Sequence, residues 1–238
     1  MHIDGLVVCV DYTAELALSL PRWLAALDSI TVVTTPVDVR TQKLIVDCEL
    51  PDRALIRAHI TEVFYAHGAL FNKGAAMQEA IDRTHPWRDW VMLFDADVMV
   101  PTDLRARLEA ADLQPGILHG AHRHQAEVSQ AETDPELWPQ YPDREVAGYF
   151  QLFHVSDPVV ADRANVLDAT FTHAGNYDSL FQNRWGKGAS IERKRWLDVH
   201  VLHVGPPGRN WCGRGNDEAI DKLRLARAQG RHWTEERI

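Results

Sequence analysis

The chain has 238 residues, 45% of them hydrophobic and 25% charged, enough to bury one full core with or without a small appendage. Its formal charge of -9, from 25 basic and 34 acidic residues, argues against the broad positive footprint of a nucleic-acid binder and favours small or neutral partners. Cys9, Cys48 and Cys212 are widely spaced and include no CxxC pair, so neither a disulfide framework nor a structural zinc site is expected and a reducing compartment fits. The opening MHIDGLVVCVDY lacks a basic n-region and meets Asp11 too early for a secretory signal. No apolar stretch approaches the about 18 residues of a membrane span, and the expectation is a cytoplasmic, unanchored protein.

Residues 6–10, LVVCV, form a short β-branched run that reads as a strand buried on both faces and ends at Asp11-Tyr12. The stretch 13–27, TAELALSLPRWLAAL, is helical in composition, with Pro21 as a break or restart. A second buried strand, ITVVTTPVD at 30–38, ends in Thr35, Pro36 and Asp38. Strand, helix, strand units build parallel sheets with helices on the faces. The segment 70–82, LFNKGAAMQEAID, reads as a loop entering a helix, and 89–97, DWVMLFDAD, as a third buried strand. The first hundred residues thus predict a doubly wound α/β half whose strand ends gather on one edge, where ligands bind.

The second half differs. GILHGAHRHQ (116–125), GYFQLFHV (148–155) and WLDVHVLHVG (196–205) predict strands, and NYDSLFQNRW (176–185) predicts the start of a helix. The polar stretch 126–146, with Pro135, Pro139 and Pro142, predicts a long surface excursion. A Gly/Pro-rich loop, PPGRNWCGRGND, then leads into a terminal helix.

Asp95 and Asp97 stand one residue apart where an apolar run stops. Two like charges there repel each other and lose solvation, so a positive group is expected to hold them. A divalent cation with oxygen ligands, Mg²⁺ or Mn²⁺, suits the pair and keeps positions for phosphate oxygens. The alternatives are solvated turn residues or an N-cap for a helix beginning near Pro101. HGAHRH offers a rival metal site, but on a strand only His122 and His124 share a face, His119 does not join them, and no carboxylate or cysteine neighbour completes the set. Trp87, Trp90, Trp185 and Trp196 read as core or rim rather than a sugar-stacking platform.

The order of motifs over residues 6–215 resembles the nucleotide-sugar-dependent glycosyltransferases of the A-type fold, marked by a DxD motif at a mid-domain strand end, here Asp95-Ala96-Asp97. The resemblance implies a single domain, 1–238. A Rossmann-like nucleotide-binding half with a mostly parallel sheet (1–100) merges with an acceptor-binding half (101–215), and a C-terminal helix (216–238) follows. It implies that Asn72, Lys73 and Gly74 lie under the nucleotide diphosphate and that Asp11, Tyr12 and Asp38 contact base and ribose. Asp95, Asp97 and His203 would hold Mn²⁺ or Mg²⁺, with Asp95 reaching the metal or the ribose. His200 competes with His203, but the two positions point to opposite faces of a strand, and His203 adjoins the Gly/Pro loop. Trp211 would close over the donor, with Arg209 or Arg214 adding positive charge. GYFQLF sets Gly148 and Gln151 near the acceptor. NYD matches a stretch that carries two or three acidic residues in many members and here only Asp178. That residue is either the catalytic acidic group or a helix-capping carboxylate.

The function implied is transfer of a sugar from a UDP- or GDP-linked donor to an acceptor hydroxyl. A non-catalytic nucleotide- or carbohydrate-binding protein of the same fold is the alternative. An aspartate-nucleophile phosphatase is disfavoured because that motif belongs on a first strand, and a sugar nucleotidyltransferase because VVCVDYTAEL lacks its Gly-rich start with a nearby Arg.

Overall fold

Strand β1 (Ile3–Val8) takes up the first three residues of the apolar run expected at 6–10, beginning three residues earlier and leaving Cys9 and Val10 beyond its end, and it is buried along nearly its whole length, as a strand covered on both faces should be. The structure, a computed structural model, describes residues 1–50, 54–84, 87–126, 146–170, 177–186 and 193–204. Helix α1 (Thr13–Ala26) runs through Pro21 without a break, contrary to the expectation of a restart there. Leu16 and Leu20 before the proline and Trp23 and Leu24 after it are all buried on the same core. Burying that stripe outweighs the proline's penalty of about 3 kcal/mol.

Strand β2 (Ser29–Thr34) is buried throughout and lies parallel to β1. Helix α2 (Val39–Asp47) and strand β3 (Leu55–Ile60), neither announced by an apolar run, extend the sheet on that side. Helix α3 (Lys73–Arg83) then leads to β4 (Trp90–Asp95), parallel to β1 on its other side. The chain continues through β5 (Val98–Met99), α4 (Leu104–Ala110), β6 (Leu118–Ala126), β7 (Phe150–His154), α5 (Tyr177–Gln182) and β8 (Lys194–Val204). The three strands expected in the second half are therefore present, β8 beginning at Lys194 rather than at residue 196.

All eight strands form one sheet in the order β3-β2-β1-β4-β7-β6-β8-β5. β7 runs antiparallel to both β4 and β6, whereas β6 and β8 are parallel. Residues of β4 alternate between two cores, Trp90, Met92 and Phe94 on one and Val91 and Leu93 on the other, so both faces of the sheet are covered. Trp23 stacks on Phe94 with centroids 4.0 Å apart on the α1 side, and Phe153, Phe181 and Trp185 pack on the α3 side. Trp185 and Trp90 are core residues, and Trp87 and Trp196 are partly buried against the core. Among the described residues no helix is long and apolar enough to cross a membrane. The terminal helix, the late loop with Arg209, Trp211 and Arg214, and positions 127–145 of the polar excursion lie outside the described residues.

A candidate metal centre at the end of β4

β4 ends at Asp95, and the chain turns through Ala96 and Asp97 straight into β5. Although β5 is two residues long, it sets the register of the site. It pairs antiparallel with β8, Val98 opposite His203, and the Val204 amide donates to the Asp97 carbonyl at 2.9 Å. That pairing brings His203 Nε2 to 3.4 Å from Asp97 Oδ1. One ligand atom from each of Asp95, Asp97 and His203 falls within 4.8 Å of the others, a spacing that a small cation spans with little adjustment. His200, the competing histidine, faces the other side of β8 and contacts His124.

The surroundings push the two carboxyls in opposite directions. Burial pushes the Asp97 carboxyl up, and the charge of Asp95 adds to this, while His203 opposes it; the balance is a raised value. Burial also acts to raise Asp95, but the ammonium of Lys73, with His203 and Arg123 behind it, overcomes that and holds Asp95 below the usual carboxylate range. Lys73 Nζ makes an ion pair with Asp95 Oδ1. Asp97, only 4% exposed, is thus a buried carboxyl beside a like charge, an arrangement that a bound cation relieves.

The other expected site residues take varied places. Asn72 is the N-cap of α3, its Oδ1 accepting the Ala75 amide at 2.8 Å and its Nδ2 donating to the Ala169 carbonyl at 2.7 Å. At Gly74 a Cβ would come 2.2 Å from the Asp168 carbonyl oxygen, so only glycine fits. Of that trio, Lys73 carries its functional group to the aspartates. Asp38 is 3% exposed; it caps α2 through the Thr41 amide at 3.1 Å and accepts the Asp11 amide at 2.8 Å. That second bond holds Asp11 in the left-handed region, φ 59°. The Tyr12 ring lies in the core beneath α1. Asp178, in the first turn of α5, accepts the Gly148 amide at 3.0 Å, and Gln151 donates to the Asp178 carbonyl at 3.3 Å.

Four residues around the cluster were not foreseen. From α1, Ser19 Oγ donates to the Ala96 carbonyl at 2.7 Å, Trp23 Nε1 to the Val98 carbonyl at 2.8 Å and Arg22 to the Val100 carbonyl at 3.1 Å. α1 therefore fixes alternate carbonyls of the segment that presents Asp97. Gln125 Nε2 lies 3.2 Å from His203 Nδ1, and rotating its amide by half a turn offers an oxygen to an Nδ1–H, the tautomer that leaves Nε2 able to ligate.

The fold is the one known as the A-type glycosyltransferase fold. Solved structures with the same fold include S. aureus TarS 1-349, with a TM-score of 0.57 and 9% identity over 94% of this chain and 65% of that one. A mutant Drosophila beta-1,4-galactosyltransferase 7 in complex with manganese, UDP-Gal and xylobiose gives 0.51 and 13% over 94% and 80%. The 4-diphosphocytidyl-2C-methyl-D-erythritol synthase of Anaerococcus prevotii gives 0.54 and 11% over 95% and 96%. The chain spans 65% of TarS 1-349 and 39% of a longer TarS structure. No protein-family model matches the chain, and no curated protein matches its sequence.

Proposed function

We propose that the chain is a divalent-metal-dependent glycosyltransferase that moves a sugar from a UDP- or GDP-linked donor to an acceptor hydroxyl. The observation that carries this reading is the convergence of Asp95, Asp97 and His203 on one point at the carboxyl edge of the sheet, with Lys73 beside them. Two carboxylates and one imidazole suit Mn²⁺ or Mg²⁺, and the raised Asp97 carboxyl gives that cation a charge conflict to resolve. The complex of the Drosophila galactosyltransferase with manganese and UDP-Gal supports the same assignment by analogy of fold.

When bound, the ion supplies Lewis-acid neutralisation of the charge that grows on the departing nucleoside diphosphate. The remaining roles belong to side chains. Lys73, released from Asp95, would turn its ammonium to the phosphate oxygens. Asp11, Tyr12 and Asp38 shape the strand ends where base and ribose would lie. Asp178, oriented by the Gly148 amide, would take the proton of the acceptor hydroxyl in an inverting reaction or position the sugar in a retaining one.

The test is release of nucleoside diphosphate from a panel of UDP- and GDP-sugars with Mn²⁺. Turnover with at least one donor, and calorimetric binding of the nucleoside diphosphate that needs Mn²⁺ and disappears in Asp97→Ala, is the expected result. Unchanged binding in Asp97→Ala overturns the reading. The near end-to-end match to the nucleotidyltransferase of A. prevotii favours one second reading, and pyrophosphate release from a nucleoside triphosphate and a sugar phosphate would select it.

A further inference from the structure

β8 carries histidines on both faces. His203 looks toward the aspartates, while His200 looks the other way and meets two histidines of β6. The parallel register sets His122 opposite His200 and His124 opposite Leu202, and since His122 and His124 share a face of β6, the three imidazoles gather on one side of the sheet. His124 Nε2 and His200 Nδ1 are 2.8 Å apart. The His122 ring stacks on that of His200, with centroids 5.2 Å apart and planes inclined by 27°. His124 is buried and His122 exposed, so the group is anchored in the protein and open to solvent.

We propose that His122, His124 and His200 form a second metal site, on the opposite face of β6 and β8 from the aspartate cluster, for an imidazole-preferring divalent ion of the Zn²⁺ or Ni²⁺ class. The donor set is all nitrogen, which separates it from the oxygen-rich cluster on the other face. Tetrahedral bonds of about 2.1 Å place ligand nitrogens about 3.4 Å apart, so the His124–His200 pair needs only a small opening. The nitrogens of the three rings do not all lie within 4.8 Å of one another as the rings stand, so the exposed His122 side chain would have to turn from its stacked position to supply the third nitrogen. With Nδ1 on the ion, His200 Nε2 lies on the solvent side, 3.8 Å from Oδ1 of the exposed Asp198. An ion here ties β6 to β8 one strand turn away from the Gln125–His203 contact.

The test uses Asp97→Asn protein, in which the aspartate cluster is disabled, titrated calorimetrically with Zn²⁺ alone. One Zn²⁺ per chain is expected, and adding His122→Ala or His200→Ala should weaken its binding by about tenfold or more. His122 is exposed, so its variant keeps the fold and decides the question even if the His200 variant does not. Absence of Zn²⁺ binding in Asp97→Asn, or equal affinity after the histidine substitutions, overturns the proposal. Either result is read independently of whether the aspartate cluster takes Mn²⁺.

Discussion

Asp38 and Asp97 stand at the ends of two neighbouring regions of the same sheet edge, and both are almost fully buried, at 3% and 4% exposure. Asp38 is surrounded by donors the fold itself supplies: the amides of Thr41 and Asp11 and, at 3.4 Å, the hydroxyl of Thr34. Its charge is answered by backbone, and the answer shapes the chain, since it ends β2, starts α2 and fixes the left-handed Asp11. Asp97 accepts its own amide, but its principal neighbours are an imidazole and a second carboxylate. Backbone donors are permanent, whereas a ring of side chains of mixed sign can admit another ion. The contrast separates a carboxylate that builds the edge from one that equips it.

Replacing each aspartate should therefore produce opposite results. On the proposed function Asp97→Asn would remove the central ligand, and because a metal ion contributes several kcal/mol to charge stabilisation, transfer should fall by about a thousandfold. The same substitution should raise the melting temperature of the metal-free protein at neutral pH. The Asp97 carboxyl is elevated in the fold, so its contribution is complete in acid and is lost as pH rises through the folded value. Asp38→Ala should instead leave two amides without an acceptor and cost about 2–4 kcal/mol in chemical denaturation. If both variants lost stability alike, the distinction would collapse.

His119, on β6, resolves burial a third way, by giving up its charge. It is fully buried, and burial lowers its pKa to about 4 from 6.5. Between those values the unfolded chain takes up a proton that the folded chain refuses. Stability is then complete above pH 6.5 and falls by about 3 kcal/mol as the pH drops to 4. Denaturation midpoints across this range should flatten in His119→Gln, and an unchanged slope would show that other groups control the acid transition.

What could be read from the sequence follows the same division between local and distant causes. LVVCV and VMLFD announce β1 and β4 because a strand buried on both faces is a continuous apolar run. Asp95 and Asp97 announce themselves because like charges at the end of such a run are costly. β3 was silent, since LIRAHI mixes Arg57 and His59 into an edge strand. Pro21 misled because its penalty is local and the packing that overrides it is not. In sequence His200 and His203 compete for one role, whereas cross-strand register unites His200 with His122 and His124. Ser19, Arg22 and Trp23 lie 75 to 78 residues from the carbonyls they hold, and no local pattern encodes a contact of that range.

Those α1 contacts give the finest test of how Asp97 is presented. Ser19 Oγ lies 2.7 Å from the Ala96 carbonyl and 3.3 Å from that of Leu16 in its own helix. Ser19→Ala removes the first bond within a fully buried setting and leaves the Ala96 carbonyl short of a donor, costing about 1–2 kcal/mol. Trp23 and Arg22 still anchor Val98 and Val100, so the segment should keep its course while Ala96 gains freedom. The loss should then appear twice: as a modest drop in denaturation free energy, and as an about tenfold weaker Mn²⁺ affinity, because outer contacts orient ligands they never touch. A stability loss with unchanged Mn²⁺ affinity would mean that β5 and β8 alone hold Asp97 in place.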